Sequence, residues 1–239
     1  MFIILSYVYR RRMKNYLRKK IKLAKFISKI FQIIPYIRMI AVCDSVARGT
    51  AKPESDIDLF IVAKNNHIFT TRYIAVFLIT ILGLKSLPKE KKIANKICLS
   101  FFLNNKHLNL DRLSKDSKEE ILRAEWIMDL IPIFDESHTY LDFVDKNSWV
   151  KKINKNYYSV MIAKSKNIRS LWLLYILRKF LEFILFFGIG WILEHIVRSI
   201  QVKRLFNFKN AHFGCEKMII NDQIIKLHYI DKNGKKFLF

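Results

Sequence analysis

Two aspartates, Asp56 and Asp58, stand one residue apart in "SDIDLFIVA", within a run that is otherwise apolar. Alternate side chains of a β-strand share a face, so this spacing sets both carboxylates on one side and turns Ile57 and Leu59 to the other. Carboxylates held together repel each other unless a proton or a cation lies between them. A divalent ion with hard oxygen ligands meets that need. Magnesium suits it, because it takes one or two carboxylates and fills its other positions with water and substrate phosphates. Just upstream, "DSVARGT" is a turn of small residues in which Ser45 is followed by Ala47, Gly49 and Thr50. Backbone N–H groups of such a turn can point at an anion. A phosphate cradle close to a metal-binding pair is the equipment of a phosphoryl-transfer site.

The stretch "DSVARGTAKPESDIDLFIV" resembles the signature of the nucleotidyltransferase superfamily, the polymerase-beta-like fold, in which a G-S turn is followed by A-x-G and then S-D-I-D-L. Ser45, Ala47, Gly49, Ser55, Asp56 and Asp58 match that pattern position by position. The likeness is strong over residues 40–62. The later "KICLSFFL", the helical half and the tail "IINDQIIKLHYIDK" extend it toward uncharacterised bacterial members of the superfamily. The resemblance implies that Asp56 and Asp58 bind Mg2+ or Mn2+, one ion arriving with a nucleoside triphosphate such as ATP. The oxygen of an unknown acceptor then attacks the α-phosphorus and pyrophosphate leaves. Ser45 would hold the β- or γ-phosphate, with Gly49 and Ser55 bordering it. Arg48 would approach the phosphates or lie on the surface of the short helix.

Two positions depart from the family pattern. Asp44 stands where the family usually has glycine, adding a side chain and a negative charge beside the proposed triphosphate; it could turn away, bind metal or weaken nucleotide binding. The third carboxylate that the family carries on a later strand is absent from "KICLSFFL". Strict alternation there puts Ser100 on one face with Cys98 and Phe102. Asp111 and Asp135 are acids outside that strand, in positions that read as loop or helix cap. A nucleotide-binding or regulatory protein without turnover is therefore the alternative to an enzyme. A second polar cluster, Lys226 with His228 and Asp231, lies in the tail and reads as structural. The remaining histidines show no metal-ligand spacing.

With 51% apolar residues and four prolines among 239, the chain is not disordered. Its formal charge of +23 points to an anionic partner or to a Lys-rich coding bias. The candidate footprint for an anionic membrane or nucleic acid is Arg10, Arg11, Arg12, Lys14, Arg18, Lys19, Lys20, Lys22 and Lys25, on a basic N-terminal helix. Cys43, Cys98 and Cys215 are widely spaced, which excludes a disulfide framework and fits a reducing cytoplasm, with peripheral membrane attachment the other expectation. The apolar runs at 73–84 and 180–197 are too short to span a bilayer and read as buried helices.

The elements that must position the site follow from periodicity. Residues 6–34 read as one helix ended by Pro35, "IRMIAVC" as a strand, 44–51 as a turn into a short helix, and "DIDLFIVA" as a second strand. A helix over 69–84, a basic loop and "KICLSFFL" as a third strand complete an α/β (α+β) arrangement, a small sheet covered by helices. Residues 1–35, 36–114 and 115–239 divide as basic helix, nucleotidyltransferase domain and mainly helical region. In the last of these, Pro132 and Gly188/Gly190 are expected to interrupt helices, and the tail to form a short strand followed by a short helix, capped by Asn221 or Asp222 and bearing Lys226 and His228.

Overall fold

The first helix, α1 (Phe2–Phe31), meets the core along a single stripe. Ala24, Ile27 and Phe31 are buried, whereas Arg18, Lys19, Lys22, Lys25 and Lys29 face solvent, so the apolar residues recur at helical spacing within a basic surface. The structure is a computed structural model that describes residues 2–86, 94–113, 117–166, 171–211, 218–227, 229–230 and 236–237. After a tight turn at Tyr36, whose φ of 67° is left-handed, the chain enters β1 (Ile37–Val42). There follow α2 (Asp44–Ala47), β2 (Ile57–Ala63), α3 (Ile68–Ile81) and β3 (Ile97–Asn104). Beyond these come α4 (Ser117–Asp129), β4 (Ile131–Asp135), α5 (Thr139–Lys146) and α6 (Tyr157–Ser165). The chain ends with α7 (Trp172–Phe186), α8 (Ile189–Ala211), β5 (Ile219–Ile220), β6 (Ile224–Lys226) and a small ribbon of β7 (Tyr229–Ile230) with β8 (Lys236–Phe237).

Six strands form one mixed sheet in the order β4-β1-β2-β3-β6-β5. β2 and β3 run parallel and the other pairings are antiparallel. Helices cover both faces. On one side Ile57, Leu59 and Ile61 of β2 pack with Ala24 and Phe31 of α1, Phe69 of α3 and Val197 of α8. On the other, Phe60 and Val62 pack with Ile127 of α4, Phe143 of α5 and Met161 of α6. Burial on both faces explains why the central strands are mostly apolar and why the carboxylates at the start of β2 stand out.

Three expectations need correction. The segment "IPIFD" is an edge strand, β4, where the sequence pattern suggested helix broken at Pro132; proline is tolerated at a sheet edge because its missing N–H need not serve the ladder. The element after Asn221 and Asp222 is strand β6, in place of a short helix. Asn221 Oδ1 accepts the N–H groups of Gln223 (2.9 Å) and Ile224 (2.8 Å), so the side chain that could cap a helix closes a hairpin turn. Finally, the apolar run at 180–197 is not a buried helix. It is split at Gly188, whose φ of 87° suits glycine, into α7 and α8, which meet at 89°. Much of its apolar surface is exposed. The run at 73–84 is likewise mixed, with Ala75 and Ile79 buried but Tyr73, Phe77 and Ile81 exposed.

Candidate active site

Asp56 is the last residue before β2 and Asp58 the second within it, and they are only 7% and 1% exposed. The parallel register of β2 and β3 sets Cys98 directly across from Asp58. One ligand atom from each of Asp56, Asp58 and Cys98 can be chosen so that all lie within 4.8 Å of one another. Strict alternation in β3 fails at this point. The register shifts by one residue between the Asp58–Cys98 and Phe60–Phe101 pairs, a β-bulge, so Phe102 packs in the opposite core layer from the side on which Cys98 meets the aspartates. Cys98 is therefore the β3 group whose ligand atom joins the pair.

Two carboxylates and a thiol in so small a buried volume fit a divalent cation, because the cation compensates charges that burial would otherwise penalise. Hard oxygen donors suit magnesium, and the thiol adds a softer donor that favours manganese or a more thiophilic ion.

Lys20 supports the site from α1. Its ammonium is buried, 1% exposed, and donates to the carbonyl oxygens of Pro53 (3.2 Å) and Ser55 (2.6 Å) and to Asn95 Oδ1 (3.1 Å). It thereby holds the segment leading into Asp56. Burial pushes the Lys20 ammonium down from its ordinary range, and the charges of Asp56 and Glu54 oppose that shift. Counting Lys20 in an exposed basic footprint is thus incorrect. Its neighbours Arg18, Lys19, Lys22 and Lys25 are exposed, and the side chains of Arg10, Arg11, Arg12 and Lys14 lie outside the described residues.

The turn before the pair keeps a glycine-like backbone. Asp44 adopts a φ of 55°, in the left-handed region where glycine is favoured and where aspartate is better tolerated than most residues. The backbone at Asp44 thus takes a conformation that glycine would adopt, and the half-buried Asp44 carboxylate lies 3.8 Å from Cys43 Sγ. Cys43 N–H donates to Asp58 O (3.0 Å), which ties the turn to β2. Ser45 is the second residue of the short helix, half-buried, and its carbonyl accepts the N–H groups of Thr50 and Ala51 (3.0 Å each). Gly49, at a φ of 76°, allows that closure.

Ser55 Oγ accepts the N–H of Lys52 (3.0 Å) and so closes its own turn. Arg48 Nε lies 3.2 Å from Asp129 Oδ2 at the end of α4, in an exposed ion pair. Asp135 caps α5 by accepting Tyr140 N–H (3.0 Å), and burial first of all raises its carboxyl to about 6. It pairs with Met39, toward the far end of the sheet from Asp58. Asp111 is exposed in a single 3-10 turn. Of the tail cluster, Lys226 ends β6, whereas His228 and Asp231 lie outside the described residues, as do Cys215 and most of the basic loop before β3.

A family model described as a nucleotidyltransferase domain matches residues 20–182, from Lys20 through the end of the sheet's second helical layer and into α7. The chain belongs to the nucleotidyltransferase domain family. The chemistry of this family is nucleotidyl transfer, typically with divalent metals. No curated protein matches the nucleotidyltransferase chain. A solved structure, "Crystal structure of the toxin-antitoxin with AMP-PNP", is similar at 14% identity and a TM-score of 0.32, covering 59% of this chain and 96% of that one. So low a score carries no argument about function. Lys20 and Cys98 were not legible as site residues. Lys20 is one cation in a basic run, and only the parallel register of β3 against β2 puts Cys98 beside Asp58.

Proposed function

We propose that this nucleotidyltransferase moves a nucleoside monophosphate from a nucleoside triphosphate to a hydroxyl or similar nucleophile, with release of pyrophosphate. The observation that carries the reading is the buried Asp56–Asp58 pair on one side of β2, beside the turn that begins at Asp44. Asp56 and Asp58 would hold Mg2+ or Mn2+, with Cys98 as a third donor. When bound, the metal neutralises phosphate charge and activates the acceptor oxygen. Lys20 fixes the backbone that delivers Asp56, and its positive charge offsets part of the carboxylate charge. Ser45 and the N–H groups of its turn would contact the triphosphate, with Gly49 and Ser55 shaping that turn. Asp44 and Arg48 border it, Arg48 being drawn toward Asp129 in this state.

The lack of a carboxylate in β3, where Cys98 is the group beside the pair, favours a second reading in which nucleotide binds without turnover. Incubation with α-labelled triphosphates, Mg2+ or Mn2+, and mixtures of acceptors separates the two. Label transfer that falls by at least about a hundredfold in Asp56→Asn is the expected result. Nucleotide that binds while no acceptor mixture yields pyrophosphate would establish the second reading instead.

A further inference from the structure

A cleft of about 340 Å³ lies between α3 and α8, against Ile97 and Leu99 of β3. It opens on the side of the sheet that packs α1, α3 and α8, whereas Asp58 and Cys98 project on the other. Three cations line it, Arg72, Lys85 and Arg204, and the described lining residues include no acid. Arg72 is only 8% exposed; its Nη1 donates to Gln201 Oε1 (2.6 Å), while its Nε–H has no acceptor among the described residues. The hydroxyl of Ser86, also buried at the cleft, has no hydrogen-bond partner among the described residues. Buried donors left unsatisfied are costly, and an anion would satisfy both at once. Burial first and Arg204 second bring the Arg72 guanidinium down to about 10, and Lys85 is lowered by burial and by both arginines. The cleft therefore holds clustered positive charge that nothing among its described lining residues offsets.

The rims of the cleft are apolar. Tyr73, Phe77 and Ile81 recur every four residues along α3, and Ile192, Ile196 and Ile200 do the same along α8; all six are exposed. The α8 stripe runs on to the corner with α7. From 171 to 192 every exposed residue is apolar or glycine; Arg178 and Glu182 turn toward the interior, and the half-exposed Lys179 reaches Glu136 (2.7 Å) with its ammonium over the Tyr175 ring. The corner is its extreme, with Phe186 at 76% and Phe187 at 71% exposure. Trp172, Tyr175 and Trp191 on the same surface are residue types that favour the lipid–water boundary. No single helix among the described residues is long and apolar enough to cross a membrane. At the other end of α7, Leu171 N–H donates to Gln32 Oε1 (2.8 Å), close to the exposed Lys29 of α1. Positive charge thus flanks the apolar surface, complementary to an anionic leaflet.

We propose that the α3–α8 cleft binds the phosphate group of an anionic membrane lipid, with its two apolar rims and the α7–α8 corner seated in the bilayer interface. A cation-lined floor between apolar rims matches a ligand that is charged at one end and apolar at the other. The test uses the full chain and co-sedimentation with vesicles of phosphatidylcholine, with or without phosphatidic acid. Strong association only when phosphatidic acid is present is expected, falling about tenfold in Arg204→Glu.

Arg204 is exposed, so that variant should fold, which Arg72→Gln need not. A paired Ile196→Ser, Ile200→Ser variant should lose association with the cleft cations intact. Equal association with both vesicles that Arg204→Glu leaves unchanged would refute the cleft. Stabilisation by inorganic phosphate without any vesicle association would assign the cleft to a soluble phosphate and overturn the lipid. A concentration-dependent dimer that Phe186→Ser abolishes, again without vesicle association, would assign the apolar surface to a second copy of the chain.

Discussion

Cys98 adds a thiol to the two carboxylates of the candidate metal site. A thiol where a third carboxylate could stand supplies a softer donor, which changes the preferred cation more than the capacity to hold one. Manganese should therefore support labelled nucleotide transfer better than magnesium in the wild-type protein. Introducing an acid with Cys98→Asp should shift the Mg2+-to-Mn2+ activity ratio toward magnesium by about tenfold or more. Parallel assays in the two metals check this, with calorimetric titration of Mn2+ reporting affinity apart from turnover. An unchanged ratio would remove Cys98 from the donor set. Asp44 poses less of a problem than its charge suggests, because its left-handed backbone preserves the turn that glycine normally makes.

Among the elements, α7 is fastened to the sheet by charge. Arg38 of β1 lies 2.9 Å from Glu182 and 3.1 Å from Glu136; Arg178 lies 2.8 Å and Lys179 2.7 Å from Glu136. Tyr36 N–H adds a bond of 2.8 Å to Glu182. Burial by itself would raise the Glu182 carboxyl, but the hydrogen bonds and charge of Arg38, with Tyr36 and Lys179, hold it down at about 2. A folded value below the unfolded 4.5 means that this contribution is complete above about pH 4.5 and is lost as the pH falls toward about 2.

Glu182→Gln should cost about 3 kcal/mol near neutral pH, because Arg38 loses a buried partner, and should flatten the acid limb of the stability profile. Chemical denaturation across that pH range measures both effects. The network was not legible in the sequence, since its members are spread over 36–182 and pair only through the fold. β1, β2 and β3 were legible because buried strands give unbroken apolar runs. β4 and β6 were hidden by residues whose local chemistry serves two structures, Pro132 at a helix break or a sheet edge, and Asn221 as a helix cap or an Asx turn. The Asp56–Asp58 pair was legible because period-two spacing needs no tertiary knowledge, whereas Cys98 required the register of β3 against β2.

For the whole molecule, the question is how a charge of +23 acts. Part of it is internal, since Lys20, Arg38, Arg72 and Arg178 are buried and serve the site, the network and the cleft. The exposed remainder on α1, with Arg204 at the cleft, can attract an anionic surface but is screened over a Debye length of about 8 Å at physiological ionic strength. Apolar burial at the α7–α8 corner is not screened in this way. The two forces therefore separate by salt.

Between about 0.05 M and about 0.5 M salt, binding to nucleic acid through several phosphate contacts should fall by about a thousandfold or more. Association with vesicles containing phosphatidic acid should fall by no more than about tenfold, because the apolar contribution persists. Fluorescence titration with single-stranded RNA beside vesicle co-sedimentation over the same salt series measures the contrast. A vesicle curve as steep as the RNA curve would mean that exposed charge alone drives association, leaving the apolar corner without a part in it.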